Sequence, residues 1–190
     1  QTVCVEGECS EYVIRDEGKM HLEENLWQIS QVISWFRSRG KAVIFNAHNF
    51  FDSLSSSSAY TREVIKTASS AGADRIVLCD SSGYALFHDI TAGIDVARMQ
   101  HTRRIGIQCA NSSGCADSNA VVAAKSGVMH IQGSFLGTGP NGNISLAVTI
   151  ANLQINMGYS CIPYMKLNRL THAAEYIADQ MDVSVPPAMP

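Results

Sequence analysis

The sequence predicts an α/β protein with a parallel sheet, because short apolar strands alternate with segments of helical periodicity. Four such strands begin near residues 41, 75, 104 and 128. Their spacing of roughly 24–34 residues suits right-handed strand–helix–strand crossovers, and near-continuous apolar runs are typical of strands covered on both faces. The alternation fits either a barrel or a doubly wound sheet. A closed eight-stranded barrel usually needs about 250 residues, so this chain of 190 residues is too short for one.

The N-terminal part of the chain predicts a helix with a strand on either side. Apolar residues recur at helical spacing from Leu22 to Phe36, and Gly40 supplies a C-terminal stop. The apolar run Lys41–Asn46 is then predicted to be a buried strand. The segment Tyr12–Ile14 predicts one more strand at the front, which brings the expected number of strands to five.

The middle of the chain continues the alternation. The serine-rich segment Ser53–Ser58 is expected to be a loop that leads into a helix with an apolar face between Tyr60 and Ala71. The apolar run Arg75–Cys79 is the next predicted strand. A helix over residues 87–99 then connects it to a strand at 104–109.

The C-terminal third predicts one more strand between helices. A helix of small residues over 117–125 precedes a strand at Val128–Gln132. The glycine-rich loop 133–142 then opens an apolar helix over residues 144–157. A last amphipathic helix runs from Leu167 to Met181.

Composition and charge exclude several classes of protein. The net charge is −3 with mixed signs along the chain, so no basic stripe indicates nucleic-acid binding. The longest apolar runs, such as Ile76–Cys79, are far too short to span a bilayer. No signal peptide is visible, and a start at Gln1 rather than Met indicates a processed or truncated start.

The six cysteines form no CxxC pair and no spacing that matches a zinc site. This pattern favours a soluble protein of a reducing cell interior or organelle interior, without fixing the compartment. Cys4 and Cys9 flank a glycine-containing segment and can pair in an oxidising compartment, which leaves that alternative open.

Short motifs follow one another over nearly the whole chain. They are Leu22–Leu26, Phe50–Asp52, Ala71–Gly83, Ile105–Ile107, Asn111, Gly114–Ala116, Asn119, Ile131–Gly133, Gly142–Asn143, Ala151–Tyr159 and Leu167–Leu170. In order and spacing they resemble the family of citramalate, 2-isopropylmalate and homocitrate synthases, and the likeness is strongest to the citramalate synthase branch.

The resemblance implies a pyruvate carboxyltransferase-like TIM barrel of the HMG-CoA lyase type, of which this chain holds the C-terminal part. The fold expected is therefore an incomplete (β/α)8 barrel that lacks the first strands and has an extra C-terminal helix. Residues 1–160 form the partial barrel domain in this interpretation. Residues 161–190 form a C-terminal helix and a proline-rich tail, and the tail at 186–190 is expected to be irregular.

In the resembling family, a divalent metal and acetyl-CoA support condensation with a 2-oxo acid, and the metal acts as a Lewis acid and template. The family takes metal ligands from a His-x-His-Asn segment, from an asparagine after a Gly-Glu-Arg-Cys-Gly loop, and from an aspartate on the first strand. Here the two histidine positions are Gln108 and Ala110, while Asn111 and Asn143 are retained. The first strand has no counterpart. We therefore expect no catalytic, cofactor-binding or metal-binding residue, with these four positions marking a vestigial metal site.

Two other residues are weak site candidates. His48 ends the first buried strand, and Asp80 ends the next one, at the face where such barrels carry their sites. A carboxylate at that position can instead cap the turn through Ser81 and Ser82. His130 lies within a strand and is interpreted as a satisfied buried or interface histidine.

Glycines, apolar strand residues and helix faces are kept while ionisable site residues have changed. This pattern predicts a degenerate, non-catalytic homologue that serves as a structural or interaction subunit. A protein partner or self-association would cover the open barrel edge, because unpaired strand edges are sticky. Two alternatives remain: a subunit of a split acyl-CoA-dependent synthase, and a module that binds a small ligand. Fold alone does not decide among them.

Overall fold

Five parallel strands form a single sheet, and each strand pairs with the next one in the chain. The computed structural model describes residues 1–100 and 104–185, so the tail predicted to be irregular lies outside the described residues. Five strands in sequential parallel order, where a closed barrel has eight, confirm the predicted incomplete barrel. The strands are β1 (Thr2–Glu8), β2 (Ala42–His48), β3 (Arg75–Asp80), β4 (Arg104–Cys109) and β5 (Ile131–Gln132).

Helices connect the strands and cover one face of the sheet. Their positions match the predicted alternation, apart from the segments discussed below. The α-helices are α1 (Leu22–Ser38), α2 (Phe50–Ser56), α3 (Ser58–Ser70), α4 (Phe87–Gln100), α5 (Ala116–Lys125), α6 (Leu146–Ala151) and α7 (Leu170–Met181).

The first strand lies earlier in the chain than the sequence predicts. Residues Tyr12–Ile14 are not a strand, since Val13–Glu17 form a single wide helical turn. Tyr12 is 65% exposed and Ile14 is buried, so the apolar run does not line one side of a sheet. β1 instead carries the alternation of an edge strand, in which Val3 and Val5 pack against the core.

The serine-rich segment after β2 is helical rather than a loop. Phe50 and Phe51 are buried and fix the start of α2 in the core. The hydroxyls of Ser55 and Ser56 donate to the carbonyl oxygen of Asp52 at 2.8 and 3.0 Å. Their polar groups are therefore satisfied within the helix, and a serine-rich composition does not exclude helical backbone here.

The helix predicted over 117–125 is confirmed as α5, whereas the last two predicted helices are less regular. The segment 144–157 divides into α6 and a wide helical turn at Asn152–Asn156. The final helix begins as a 3₁₀ segment, Tyr164–Arg169, before α7. The strand predicted at 128–132 is reduced to the two residues of β5, which pairs with β4 on one side only.

The two faces of the sheet differ in chemistry because successive side chains point to opposite sides. Phe45, Ile76 and Ile107 belong to the helix-covered face and are fully buried in the core. The register places the other set of residues on the concave face. Side chains of that face include Glu6, Asn46, Val77, Cys79, Gln108 and Gln132.

All six cysteines are free, and the alternative of a Cys4–Cys9 disulfide is not realised. Extended chain between them spans about 3.3 Å per residue, which separates the two sulfurs well beyond disulfide reach. Gly7 between them lies in β1 rather than in a turn. Of the helices in the described part of the chain, none is both long and apolar enough to cross a membrane.

The contact between the β5 exit and the start of α6 predicts a glycine requirement at position 133. A methyl group on Gly133 would lie 2.4 Å from the Ile144 carbonyl oxygen. Gly133→Ala must push two backbone segments apart, and we expect it to lower the free energy of unfolding by roughly 1–3 kcal/mol. Urea denaturation measures this loss. The control Ser112→Ala, at an exposed loop position, should change stability by less than about 0.5 kcal/mol; equal stability of both variants would contradict the packing.

Candidate functional site

The carboxyl ends of the strands bring most of the predicted site residues to one end of the sheet. His48 ends β2 and Asp80 ends β3, while Ala110 and Asn111 follow β4 directly. The loop that carries Asn143 folds back onto this end. Its attachments are a hydrogen bond from the Asn111 N–H to the Asn141 carbonyl, 2.8 Å, and one from the Ile144 N–H to the Cys109 carbonyl, 3.2 Å.

Gln108 and Asn143 contact each other directly. The side-chain Nε2 of Gln108 donates to Oδ1 of Asn143 at 3.2 Å. The same oxygen also accepts the backbone N–H of Ile144 at 2.9 Å. A carbonyl oxygen has two lone pairs, so both of those on Asn143 Oδ1 are in use. The structure thus joins two of the four vestigial positions through an amide hydrogen bond.

The other two vestigial positions support the backbone around this contact. Ala110 is buried and has no ligating side-chain atom; its N–H donates to the Asp80 carbonyl at 2.9 Å. Oδ1 of Asn111 accepts the N–H of Ala116, the first residue of α5, at 3.0 Å. The Asn111 side chain therefore satisfies one of the free N–H groups at a helix start.

Asp80 is buried and its carboxylate organises the turn after β3. It accepts the N–H of Gly83 at 3.0 Å and the N–H of Ala85 at 3.2 Å. Burial raises its pKa, and the backbone hydrogen bonds only partly oppose that shift. The register pairs Asp80 with Cys109, on the face opposite to Gln108. The structure gives Asp80 a turn-capping position and does not bring it together with Asn143.

His48 ends β2, two strands from Gln108 on β4. Its Nε2 lies 3.5 Å from a carboxylate oxygen of Glu6, too far for a good hydrogen bond, and it has no hydrogen-bond partner in the described part of the chain. Nearby in the same strand, Asn46 is buried, and its Oδ1 has no hydrogen-bond partner among residues 1–100 and 104–185.

Glu8, which the sequence reasoning missed, has a defined role at the end of β1. Its carboxylate accepts the Asn49 side-chain amide at 3.0 Å and the Ser10 N–H at 2.7 Å. Asn49 has a left-handed backbone with φ of 53°, a conformation that asparagine tolerates better than most residues. The alternating pattern of β1 is the signal that would have placed Glu8 at a strand end.

A second pair on the concave face, Arg75 and His130, was not predicted. Nη1 of Arg75 lies 2.6 Å from Nδ1 of His130. Arginine can only donate, so Nδ1 accepts from Arg75, and the side-chain amide of Gln132 lies 3.2 Å from the other ring nitrogen, Nε2. Burial lowers the pKa of His130, and the Arg75 cation lowers it further. His130 is therefore a partnered structural histidine.

The residues at these four positions offer few free ligand atoms to a divalent metal. Gln108 directs an N–H group at Asn143, Ala110 offers a methyl group, and Asn143 has its oxygen occupied by two donors. Among the residues that the structure describes, no three His, Cys, Asp or Glu side chains cluster closely enough to hold a metal ion. No chemical step is assigned to a metal at this end of the sheet.

Comparison with known proteins places this geometry in a family. The HMGL-like profile matches residues 1–177. The chain is 32% identical to the (R)-citramalate synthase of Aquifex aeolicus over 193 residues, which covers 99% of this chain and 36% of that protein. It is 34% identical to the (R)-citramalate synthase of Synechocystis over 173 residues, covering 86% of this chain and 31% of that protein. The chain thus spans about a third of the length of these curated relatives.

Solved structures share the fold at lower sequence identity. The HMG-CoA lyase of Bacillus subtilis superposes with a TM-score of 0.82 at 19% identity, over 97% of this chain and 65% of that chain. Hydroxymethylglutaryl-CoA lyase from Pseudomonas aeruginosa gives 0.81 at 15% identity, over 99% and 65% of the two chains. These likenesses confirm the partial barrel fold that the sequence predicts.

Removing the Asp80 carboxylate tests its turn-capping position. Asp80→Asn keeps the size of the side chain but replaces one acceptor oxygen with an NH₂ group. That group is a donor and faces a backbone N–H, so the hydrogen bond is lost. We expect a loss of roughly 1–3 kcal/mol in the free energy of unfolding, the cost of an unsatisfied buried group. Urea denaturation measures it. Asp179→Asn, on an exposed carboxylate of α7, is the control; a similar loss in both variants would contradict a specific role of Asp80.

The lowered pKa of His130 predicts an acid-dependent loss of stability. The unfolded histidine binds a proton near its ordinary pKa of about 6.5, whereas the folded one does so only at lower pH. The unfolded state therefore binds more protons in this interval, and stability falls as pH drops from about 6.5 towards the folded pKa. His130→Gln should flatten this slope in thermal melts. A slope that persists in His130→Gln would contradict this account.

Proposed function

The chain belongs to the HMGL-like family, and we propose that it is a non-catalytic member that acts as a structural or interaction subunit of a larger assembly. The observation that carries the proposal is the hydrogen bond from Gln108 to Asn143. It joins two positions at which the resembling synthases hold a metal.

Replacement of a cation by an amide donor explains how this contact supports a non-catalytic role. A divalent metal bound through oxygen and imidazole needs several free lone pairs directed at one point. Asn143 keeps its oxygen, but that oxygen accepts a hydrogen bond from the Gln108 N–H group. The contact is stable without an ion, and a metal would have to break it before binding.

The polar residues that remain around this contact have structural uses. Asn111 accepts an N–H at the start of α5, and Asp80 accepts two N–H groups of its own turn. Gly83 lies so close to Ala110 that an added Cβ would be 2.8 Å from its carbonyl oxygen. Selection for the shape of this end of the sheet accounts for the retention of Asn111, Asp80 and Gly83.

The two open sheet edges support the role of an interaction subunit. Within the described residues, β1 and β5 each pair on one side only. A concave surface adjoins each edge. The surface beside β1 is mixed, with Val5, Ile29, Val32 and Phe45 beside Glu6, Asn25 and Gln28. The surface beside β5 is mostly apolar and includes Val128, Ile131, Leu146, Leu153 and Tyr159. Unpaired strand edges with apolar flanks are unfavourable in water, and a partner that adds strands to the sheet would cover them.

A second candidate is a subunit of a split acyl-CoA-dependent 2-oxo acid synthase of the citramalate type. The 32% identity to a citramalate synthase over nearly the whole chain favours it. A second chain would then supply the missing strands. It could not replace the side chains of β4, which are fixed in this chain.

Metal binding distinguishes the two candidates. Isothermal titration of the wild-type chain with Mn²⁺ should show no saturable binding at Asn143, because the Asn143 oxygen is occupied. The Asn143→Ala variant should therefore give the same titration curve as the wild type. The double variant Gln108→His, Ala110→His restores two imidazoles and should gain Mn²⁺ binding. Adding Asn143→Ala to that double variant should weaken the binding at least about tenfold, the effect of losing one ligand-level interaction.

Saturable Mn²⁺ binding by the wild-type chain that depends on Asn143 would contradict the non-catalytic proposal. Release of coenzyme A from acetyl-CoA in the presence of pyruvate, lost on the same substitution, would favour the synthase. Both assays should use the chain together with any protein that co-purifies with it, because a split enzyme would be incomplete alone.

A further inference from the structure

The outward face of α1 carries two exposed tryptophans in a symmetric arrangement. Trp27 and Trp35 lie four residues before and four residues after Gln31, which places all three on neighbouring turns of one helix face. Trp27 is 62% exposed and Trp35 is 51% exposed. They are the only tryptophans in the sequence. Exposed tryptophans of this kind are typical of the centre of a protein–protein interface.

Charges of opposite sign lie at the two ends of the same helix, on either side of Gln31. Glu23 and Glu24 are exposed in the first turn of α1, and Arg39 follows the last turn. Counted from Gln31, Glu23 and Arg39 are equally distant in opposite directions. The guanidinium of Arg39 lies 3.7 Å from the centre of the Trp35 ring and donates to the Trp35 carbonyl at 3.2 Å. The Arg39 guanidinium is therefore held beside Trp35, at the C-terminal end of α1.

We propose that α1 packs antiparallel against α1 of a second copy of this chain, with a two-fold axis at Gln31. A two-fold interface requires one surface patch to be complementary to itself. In this arrangement Trp27 meets Trp35 of the second copy, and Arg39 meets the two glutamates of the second copy. The symmetry of the aromatic residues and the antisymmetry of the charges satisfy that requirement together.

The surface beside Trp35 has the shape that this pairing needs. A depression on α1 is lined by Gln31, Val32, Ser34, Trp35 and Phe36. The Trp27 side chain of the second copy can fill it, as a knob fills a hole between helices. This depression adjoins the surface beside β1, since Val32 lines both. The pairing does not depend on the proposed non-catalytic role, because none of its residues lies at the carboxyl ends of the strands.

Sedimentation and tryptophan fluorescence test the pairing directly. The wild-type chain should show a concentration-dependent monomer–dimer equilibrium by analytical ultracentrifugation. Its fluorescence should shift to the blue over the same range, because both tryptophans leave water on association. Trp27→Ala and Trp35→Ala should each raise the dissociation constant about tenfold or more, as expected for interface hot spots.

Charge exchange separates this interface from any other dimer. Arg39→Glu should weaken the dimer by placing three carboxylates together, and the triple variant Arg39→Glu, Glu23→Lys, Glu24→Lys should recover it. Glu63→Lys on the exposed surface of α3 is the matched control and should leave the dimer unchanged. All substituted side chains are exposed, and circular dichroism checks that the variants fold.

Three outcomes would overturn the proposal. The wild-type chain can remain monomeric at every concentration. A dimer can form that the tryptophan substitutions do not weaken, which would place the interface elsewhere, for example at the open sheet edges. The triple variant can fail to recover the association lost in Arg39→Glu, which would exclude the antiparallel pairing of charges.

Discussion

The two-residue period of the parallel sheet is the constraint on which the rest of this structure depends. It directs Phe45, Ile76 and Ile107 into a core beneath the helices, and it directs every alternate side chain to the concave face. Because β3 and β4 pair in register, Gln108 lies beside Cys79 on that face, whereas Asp80 lies on the other. A slip of one residue would exchange the two sets and bury the polar one.

The same register gives the vestigial site its chemistry. Gln108 is the last concave-face residue of β4, and the loop after β5 returns Asn143 to it. An acceptor oxygen in this position can be satisfied by a metal or by an N–H group, and here it accepts from two N–H groups. On the proposed account, loss of the metal left one lone pair of this half-buried oxygen free for a second donor beside the Ile144 N–H. Gln108 supplies that donor.

Much of the fold could be predicted from the sequence because β2, β3 and β4 are apolar runs between strongly periodic helices. β1 could not be recognised so readily, since an edge strand such as Thr2–Glu8 is half polar and resembles a loop. α2 was missed because a serine-rich run usually indicates a loop, whereas here Ser55 and Ser56 donate to the Asp52 carbonyl within a helix. For the site, the resemblance supplied the four vestigial positions. The Gln108–Asn143 contact and the Arg75–His130 pair depend on tertiary geometry that no local pattern encodes.

The central claim is that an amide hydrogen bond occupies the place of a metal, and side-chain amide NMR signals during a Mn²⁺ titration test it most directly. A paramagnetic ion broadens the signals of groups near its binding site. The account predicts that the Gln108 and Asn143 side-chain amide signals broaden no earlier than those of exposed amides such as Asn156. Selective early broadening of Gln108 and Asn143 would contradict the account, because it would place a bound metal where the structure has a hydrogen bond.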